Sequence, residues 1–174
     1  MTALTLLPAA PTLADAEQVL HWRNDPLTRQ MSFHQTPKRM PNFFDEFCDI
    51  YFVDTRLPPL FGVVGDEKVG FLRFRAYDNA LPAGLARACD IGVMIAPEWR
   101  GRGYGTQLVT LGTVFIHQQG WPVVVAEIRE QNPASEALFA KAGYIYIDDH
   151  QRMIHDLPEP VAVKRYVHRG TENE

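Results

Sequence analysis

The sequence predicts a mixed α/β domain and not a doubly wound one. Three observations predict it. The strand-like and helix-like patterns run in the order strand, two helices, three strands, helix, strand, helix, two strands. Gly65-Asp-Glu67 joins two strand patterns as a hairpin turn would, so at least part of the sheet is antiparallel. The run Cys89-Asp-Ile-Gly-Val-Met-Ile-Ala96 leads through Arg100-Gly-Arg-Gly-Tyr-Gly105 into a helix-like run beginning near Tyr104. At 174 residues the chain is expected to form one domain over 1–170, with 171–174 as a frayed tail.

Leu4 to Leu7 reads as a first strand. Thr12 opens a helix, with Asp15 three residues on as a variant of the capping box and Leu13, Ala16, Val19 and Leu20 as its apolar face. Asn24-Asp-Pro26 stops that helix. A second starts at Asn42, where Phe43, Phe47, Ile50 and Tyr51 recur at near-helical spacing. Leu60 to Val64 and Lys68 to Tyr77 form the hairpin, and Arg87 to Ala96 is the central strand. In that strand Cys89, Ile91, Val93 and Ile95 share a face. Gly92 within it predicts a bulge or a close backbone approach. The next helix shows Leu108, Leu111 and Phe115 on one side and ends at Gly120-Trp-Pro122. Val123 to Arg129 is a strand, Asn132 to Ala142 a short helix, and Tyr144 to His150 pairs with Val161 to His168. That last pair offers an edge on which a second copy could form a homodimer.

Composition excludes several classes. A net charge of −4 argues against nucleic acid as the main partner. No apolar run reaches the length of a membrane span. Met1-Thr-Ala-Leu-Thr-Leu-Leu lacks a basic region, so no secretory leader is expected there. The six histidines show no ligand spacing, so no metal is expected. Cys48 and Cys89 lack a metal spacing and read as reduced thiols, which points to a cytoplasmic protein.

The loop at 100–105 is the main chemical signal. Glycines let main-chain N–H groups approach a phosphate closely. The start of a helix adds unpaired donors and the positive end of its dipole, and two arginines add bidentate donors. Something carrying a pyrophosphate is expected to bind here. A P-loop needs Gly-Lys-Ser/Thr, which is absent. A dinucleotide fingerprint needs G-x-G-x-x-G near a domain start, whereas Gly101, Gly103 and Gly105 are spaced G-x-G-x-G and follow half the chain.

Arg100-x-x-Gly103-x-Gly105 after Val93-Met-Ile-Ala-Pro97 resembles the Q/R-x-x-G-x-G/A signature of the GNAT superfamily of acetyl-CoA-dependent N-acetyltransferases. Asn132-Pro-Ala-Ser-Glu-Ala-Leu-Phe-Ala-Lys-Ala-Gly-Tyr144 is similar to that family's Asn-led helix ending in Lys-x-Gly-Phe/Tyr. The resemblance implies the GNAT fold, a mostly antiparallel, splayed sheet of about seven strands flanked by about four helices. It implies acetyl-CoA as cofactor, its pyrophosphate on the backbone of Gly101, Arg102, Gly103, Tyr104, Gly105 and Thr106 with Arg100 nearby. The pantetheine arm would pair with the main chain over Val93, Met94 and Ile95, chiefly Val93 and Ile95. Asn132 would touch the cofactor, although a helix N-cap is an equally good reading of it.

Acetyl transfer to an amine needs a base, donors for the oxyanion and a leaving thiol. Glu127 is the candidate base; it matches a glutamate used by some N-terminal acetyltransferases of the superfamily, and a pair with Arg129 on the same strand face is the alternative. Asp90 and His34 are weaker candidates. Where many members place a tyrosine acid this chain has Phe139, with Tyr144 or Tyr146 as conceivable substitutes. Leu20-His-Trp-Arg-Asn-Asp-Pro-Leu-Thr-Arg29 resembles a signature of members that acetylate amino groups on nucleotide-linked sugars, and a related pattern occurs in the ribosomal-protein N-terminal branch. On that resemblance Trp22, Arg23, Asn24 and Arg29 contact the acceptor; otherwise Trp22 packs the first helix and Arg23 and Asn24 cap it. The expected acceptor is a small amine, with a nucleotide-linked amino sugar leading. A protein N-terminus or lysine, and an idle acyl-CoA-binding module, are the alternatives.

Overall fold

The computed structural model describes residues 2–85 and 87–171. Its elements are β1 (Leu4–Pro8), α1 (Leu13–Arg23), α2 (Pro26–Met31), α3 (Asn42–Tyr51), β2 (Leu60–Val64), β3 (Glu67–Ala76), β4 (Ala88–Ile95), α4 (Tyr104–Gln118), β5 (Val123–Arg129), α5 (Pro133–Lys141), β6 (Ile145–Arg152) and β7 (Val161–Arg169). A 3-10 turn at Pro97–Trp99 links β4 to the loop before α4. Of the expected tail, residues 172–174 lie outside the described residues.

The strands form one sheet in the order β1-β2-β3-β4-β5-β7-β6. Every neighbouring pair is antiparallel except β4 and β5. One face carries α4 and α5, whose Leu108, Val109, Ile116 and Phe139 pack with Leu72, Ile91 and Val124 of the sheet. The other carries α1 and α3, whose Val19, Trp22, Phe43 and Phe47 pack with Phe61 and Phe71. The arrangement is the mostly antiparallel, splayed sheet that the resemblance implies, with five α-helices among the described residues where about four were expected.

α2 is the extra helix. Asp25-Pro26 ends α1 but also starts the next helix. The Asp25 carboxylate accepts from the Thr28 N–H at 3.0 Å and Pro26 sits in the first turn, where its missing N–H costs nothing. Six residues, with Leu27 and Met31 near the two ends, are too few to show a periodic apolar signal, so only the stop was visible.

Two other expectations change. The β3–β4 register runs unbroken past Arg73↔Gly92, so Gly92 is no bulge; the irregularities lie at Gly62/Val63 and Tyr146/Asp148. The buried side of α4 is Leu108, Val109, Gly112, Thr113 and Ile116, while Leu111 is partly exposed. Glycine supplies that contact: a Cβ on Gly112 would stand 2.4 Å from Leu72 Cδ1, and one on Gly105 2.5 Å from Leu138 Cδ1. A reading that counts only large apolar residues misplaces such a face.

Candidate active site

β4 and β5 pair over just three positions, Ala88↔Val123, Cys89↔Val124 and Asp90↔Val125. Beyond them β4 stays with β3 as far as Ile95↔Gly70, and β5 stays with β7 as far as Arg129↔Val163. The two strands therefore part, and a cleft of about 490 Å³ opens between them. Its lining draws on both faces of the sheet.

On the α4–α5 side the strand-to-helix bend is built by conformation. Gly101 and Gly103 have φ of 72° and 82°, in the left-handed region where a side chain is strained. A Cβ at either position would meet nothing within 4 Å, so both face open space. Among the described residues, the N–H groups of 101–106 have no protein partner. Those amides and the N-terminus of a 15-residue helix converge on the same opening. Strand alternation places the main-chain groups of Val93 and Ile95 on the edge that β5 has left. Met94 is turned the other way: its carbonyl faces β3 beside Gly70, and the next even position, Ala96, donates to Val69 O at 2.9 Å.

The arginines of the bend are engaged otherwise. Arg100 donates to Asp25 Oδ2 and Thr28 Oγ1, each at 2.8 Å, and so ties the bend to the start of α2. Arg102 lies 4.9 Å over the Trp99 ring, and Tyr104 meets the same ring edge-on at 5.6 Å. Asn132 caps α5 by accepting from Ser135 N–H at 3.2 Å and also lines the cleft; its amide nitrogen has no partner among the described residues.

Glu127 reaches the cleft from β5 with its side chain 2% exposed. It pairs with Arg152 and His150, not with Arg129, and accepts from the Tyr77 hydroxyl at 2.5 Å and from Asn79 at 3.3 Å. Burial pushes its carboxyl upward, but the Tyr77, Arg152 and His150 partners outweigh that and hold it below the usual carboxylate range. Phe139 is buried at the cleft wall and meets Tyr144 edge-on at 5.0 Å. Tyr144 is enclosed with Thr113 at 2.7 Å, and burial raises its hydroxyl far above the ordinary value. Tyr146 stands exposed on β6. Neither tyrosine lines the cleft. Cys89 is fully buried, and burial with Asp90 beside it pushes its thiol up to about 12, which leaves it inert. His34 is exposed and lies outside the lining.

On the α1–α3 side the sequence-expected acceptor residues separate. Trp22 is 2% exposed and packs edge-on with Phe61 in the second core, away from the cleft. Asn24 clamps Lys38, accepting from its N–H at 2.9 Å and donating to its carbonyl at 2.8 Å. Arg29 donates weakly to Gln35 O at 3.5 Å. Of the four, Arg23 lines the cleft. The structure adds Arg73, Arg75, Arg129 and Arg152, which sequence reasoning had not placed at an acceptor wall, and Asp90, a weaker candidate base, lines the cleft beside them, accepting from Arg75 Nε at 3.0 Å. A partial signal existed for the first two: Phe71-Leu-Arg-Phe-Arg75 alternates and puts both arginines on the face of Phe71.

Residues 4–145 match the Acetyltransferase (GNAT) domain. No curated protein sequence matches the chain significantly. Among solved structures, yncA of Salmonella typhimurium, a putative acetyltransferase with its cofactor acetyl-CoA, superposes with a TM-score of 0.75 at 18% identity over 98% of this chain and 96% of its own. Spermidine N-acetyltransferase of Vibrio cholerae, solved with CoA and spermine, gives 0.75 at 15% identity over 95% of each chain. Ribosomal-protein-alanine N-acetyltransferase of Brucella melitensis gives 0.74 at 17% over 95% of this chain and 99% of its own. At such identities these likenesses speak for the fold alone. The domain match covers most of the chain and both motifs of the cleft: the protein is a member of the GNAT family, an acetyltransferase that uses acetyl-CoA as its acyl donor.

Proposed function

We propose that the protein transfers acetyl from acetyl-CoA to the primary amine of a small molecule bound on the α1–α3 side of the cleft. The observation that carries this is the run of unpartnered amides at 101–106 beside the unpaired edge of β4. The amides of Gly101, Arg102, Gly103, Tyr104, Gly105 and Thr106 take the diphosphate, and the main chain of Val93 and Ile95 receives the pantetheine arm as an added strand. The Asn132 amide is free to donate to the same arm. Arg100 acts indirectly, by holding the bend against α2.

When bound, acetyl-CoA would supply a thioester whose carbonyl carbon the neutral amine can attack, the C–N bond forming as the C–S bond breaks, with the electron pair leaving on sulfur and the ammonium proton passing to solvent water. Phe139 offers no proton to the sulfur. A thiol with a pKa of about 8.5 leaves as thiolate without one. Glu127, held ionised and partnered on both oxygens, is a weak proton acceptor and serves chiefly to fix Arg152, His150 and Tyr77. An α-amine, with a pKa near 8, is already substantially neutral in mild base and asks little of any base. A nucleotide-linked amino sugar stays within this class of acceptor, although Arg23 alone of its four expected contacts lines the cleft.

Titration calorimetry of the folded protein with acetyl-CoA tests the reading. Saturable heat is expected, and Gly103→Ala should weaken binding by about tenfold or more, because a φ of 82° strains any side chain by roughly 1–2 kcal/mol and retracts the amides. Absence of heat with the wild-type protein overturns it.

A further inference from the structure

The acceptor side of the cleft is an arginine wall in an acidic protein. The chain carries 17 Lys and Arg against 21 Asp and Glu, yet the cleft lining holds Arg23, Arg73, Arg75, Arg100, Arg129 and Arg152 against two carboxylates, Asp90 and Glu127. No lysine contributes. The carboxylates are already taken. Asp90 accepts from Arg75 Nε at 3.0 Å, Glu127 is paired with Arg152, and Arg100 is held by Asp25 outside the cleft.

Two guanidiniums meet no carboxylate among the described residues, and a third shares one. Arg73 forms a long ion pair, 3.7 Å, with the Asp90 oxygen that Arg75 already holds, and makes no hydrogen bond to it. Arg23 makes no hydrogen bond among the described residues, and its Nε is buried without a partner. Arg129 is 7% exposed; it donates to the carbonyls of Gln30 at 2.8 Å and Ser32 at 3.3 Å and to Gln131 Oε1 at 3.1 Å, meets no carboxylate, and has a second buried, orphaned Nε. Burying positive charge without an opposite partner is costly, and an anion from outside removes that cost. Gly92 belongs to the same device. A Cβ there would lie 2.9 Å from the Arg73 guanidinium, so the missing side chain is what lets Arg73 lean across β4 at the point where the strands part.

We infer that the acceptor amine carries an oxyanion, a carboxylate or a phosphate, and that Arg73, Arg23 and Arg129 select it and exclude polycations. This rests on the functional reading above. Planar guanidiniums suit either oxyanion by bidentate donation. The apolar sides of Met31, Phe33, Tyr51 and Phe71 leave room for a flat or aliphatic body beside the charge.

Release of CoA thiol is measured with two matched pairs and one polycation: glucosamine 6-phosphate against glucosamine, phenylalanine against its carboxamide, and spermidine. The anionic member of at least one pair should exceed its neutral partner in kcat/KM by about tenfold or more, the scale of one charge-assisted hydrogen bond. The phosphate and carboxylate arms tell the two sources apart. Arg73→Gln should bring that ratio towards one through KM, and Gly92→Ala, which leaves every arginine in the chain but crowds Arg73, should do the same. Binding heat with acetyl-CoA reports that each variant is folded. Equal or better turnover of the neutral partners or of spermidine overturns the inference and leaves the functional reading standing. No thiol release with any of the five overturns that reading and this inference with it.

Discussion

Glu127 shows how a residue's neighbours decide its role. A carboxylate on a strand face of valines looks like a reactive group. Four partners, Tyr77, Asn79, His150 and Arg152, surround that carboxylate and favour its charged form. Its carboxyl is held below the ordinary value, so the stabilisation it provides is full above the unfolded carboxylate range and is lost as pH falls through its folded value. Glu127→Gln should lower unfolding free energy at pH 7 by about 3 kcal/mol, the low end for a broken buried pair because Arg152 can still turn to water. The deficit should shrink as the buffer is taken below pH 4, and urea titrations at several pH values check both. A deficit that stays constant with pH would mean that the charge contributes nothing. At Trp22, tryptophan followed by arginine and asparagine suggests a binding face, but a ring at one-turn spacing from Val19 on the inner side of α1 is equally what a core requires, and the core holds it.

Among the elements, α4 packs closely through the absence of side chains. Gly105 lets α5 come close through Leu138, and Gly112 lets Leu72 of β3 seat against the helix. Gly112→Ala improves helix propensity by up to about 1 kcal/mol but forces a methyl against a fully buried leucine. Overpacking of this sort costs about 1–3 kcal/mol, so a net loss of thermal stability is expected. A raised melting midpoint would show that Leu72 has a second rotamer to move into. The same closeness positions the cleft: α5 carries Asn132 and Phe139 to its wall, and the bend before α4 is anchored to α2 by Arg100 and Asp25. α2 is thus a small element with a positional task, joining the cofactor side to the acceptor side.

Across the whole molecule, the sheet is held at both ends and parted in the middle, and its far end contains a pH-sensitive contact. His168 on β7 meets His117 of α4 with the ring nitrogens at 3.0 Å, and burial, with His117 beside it, lowers its pKa. Between its folded value and about 6.5 the unfolded chain binds the extra proton, so stability rises with pH through that window and falls as pH drops through it. The melting midpoint should decline between pH 7 and 5, and His168→Gln should flatten that stretch of the curve. A decline of unchanged steepness in the variant would place the dependence on other groups.

The strands and the longer helices, the antiparallel hairpins, the two family motifs and the glycine-rich bend before α4 were legible in the residues alone, because period, glycine spacing and helix caps are local properties of the chain; α2 was not. The register along β3 and β4 was decided by tertiary structure, and with it the placement of Arg73 over Gly92. So were the early parting of β4 from β5 and the gathering of arginines from α1, β3, β5 and β6 around one opening. Charges far apart in sequence acquire meaning only when folding sets which of them find partners and which are left facing the cleft.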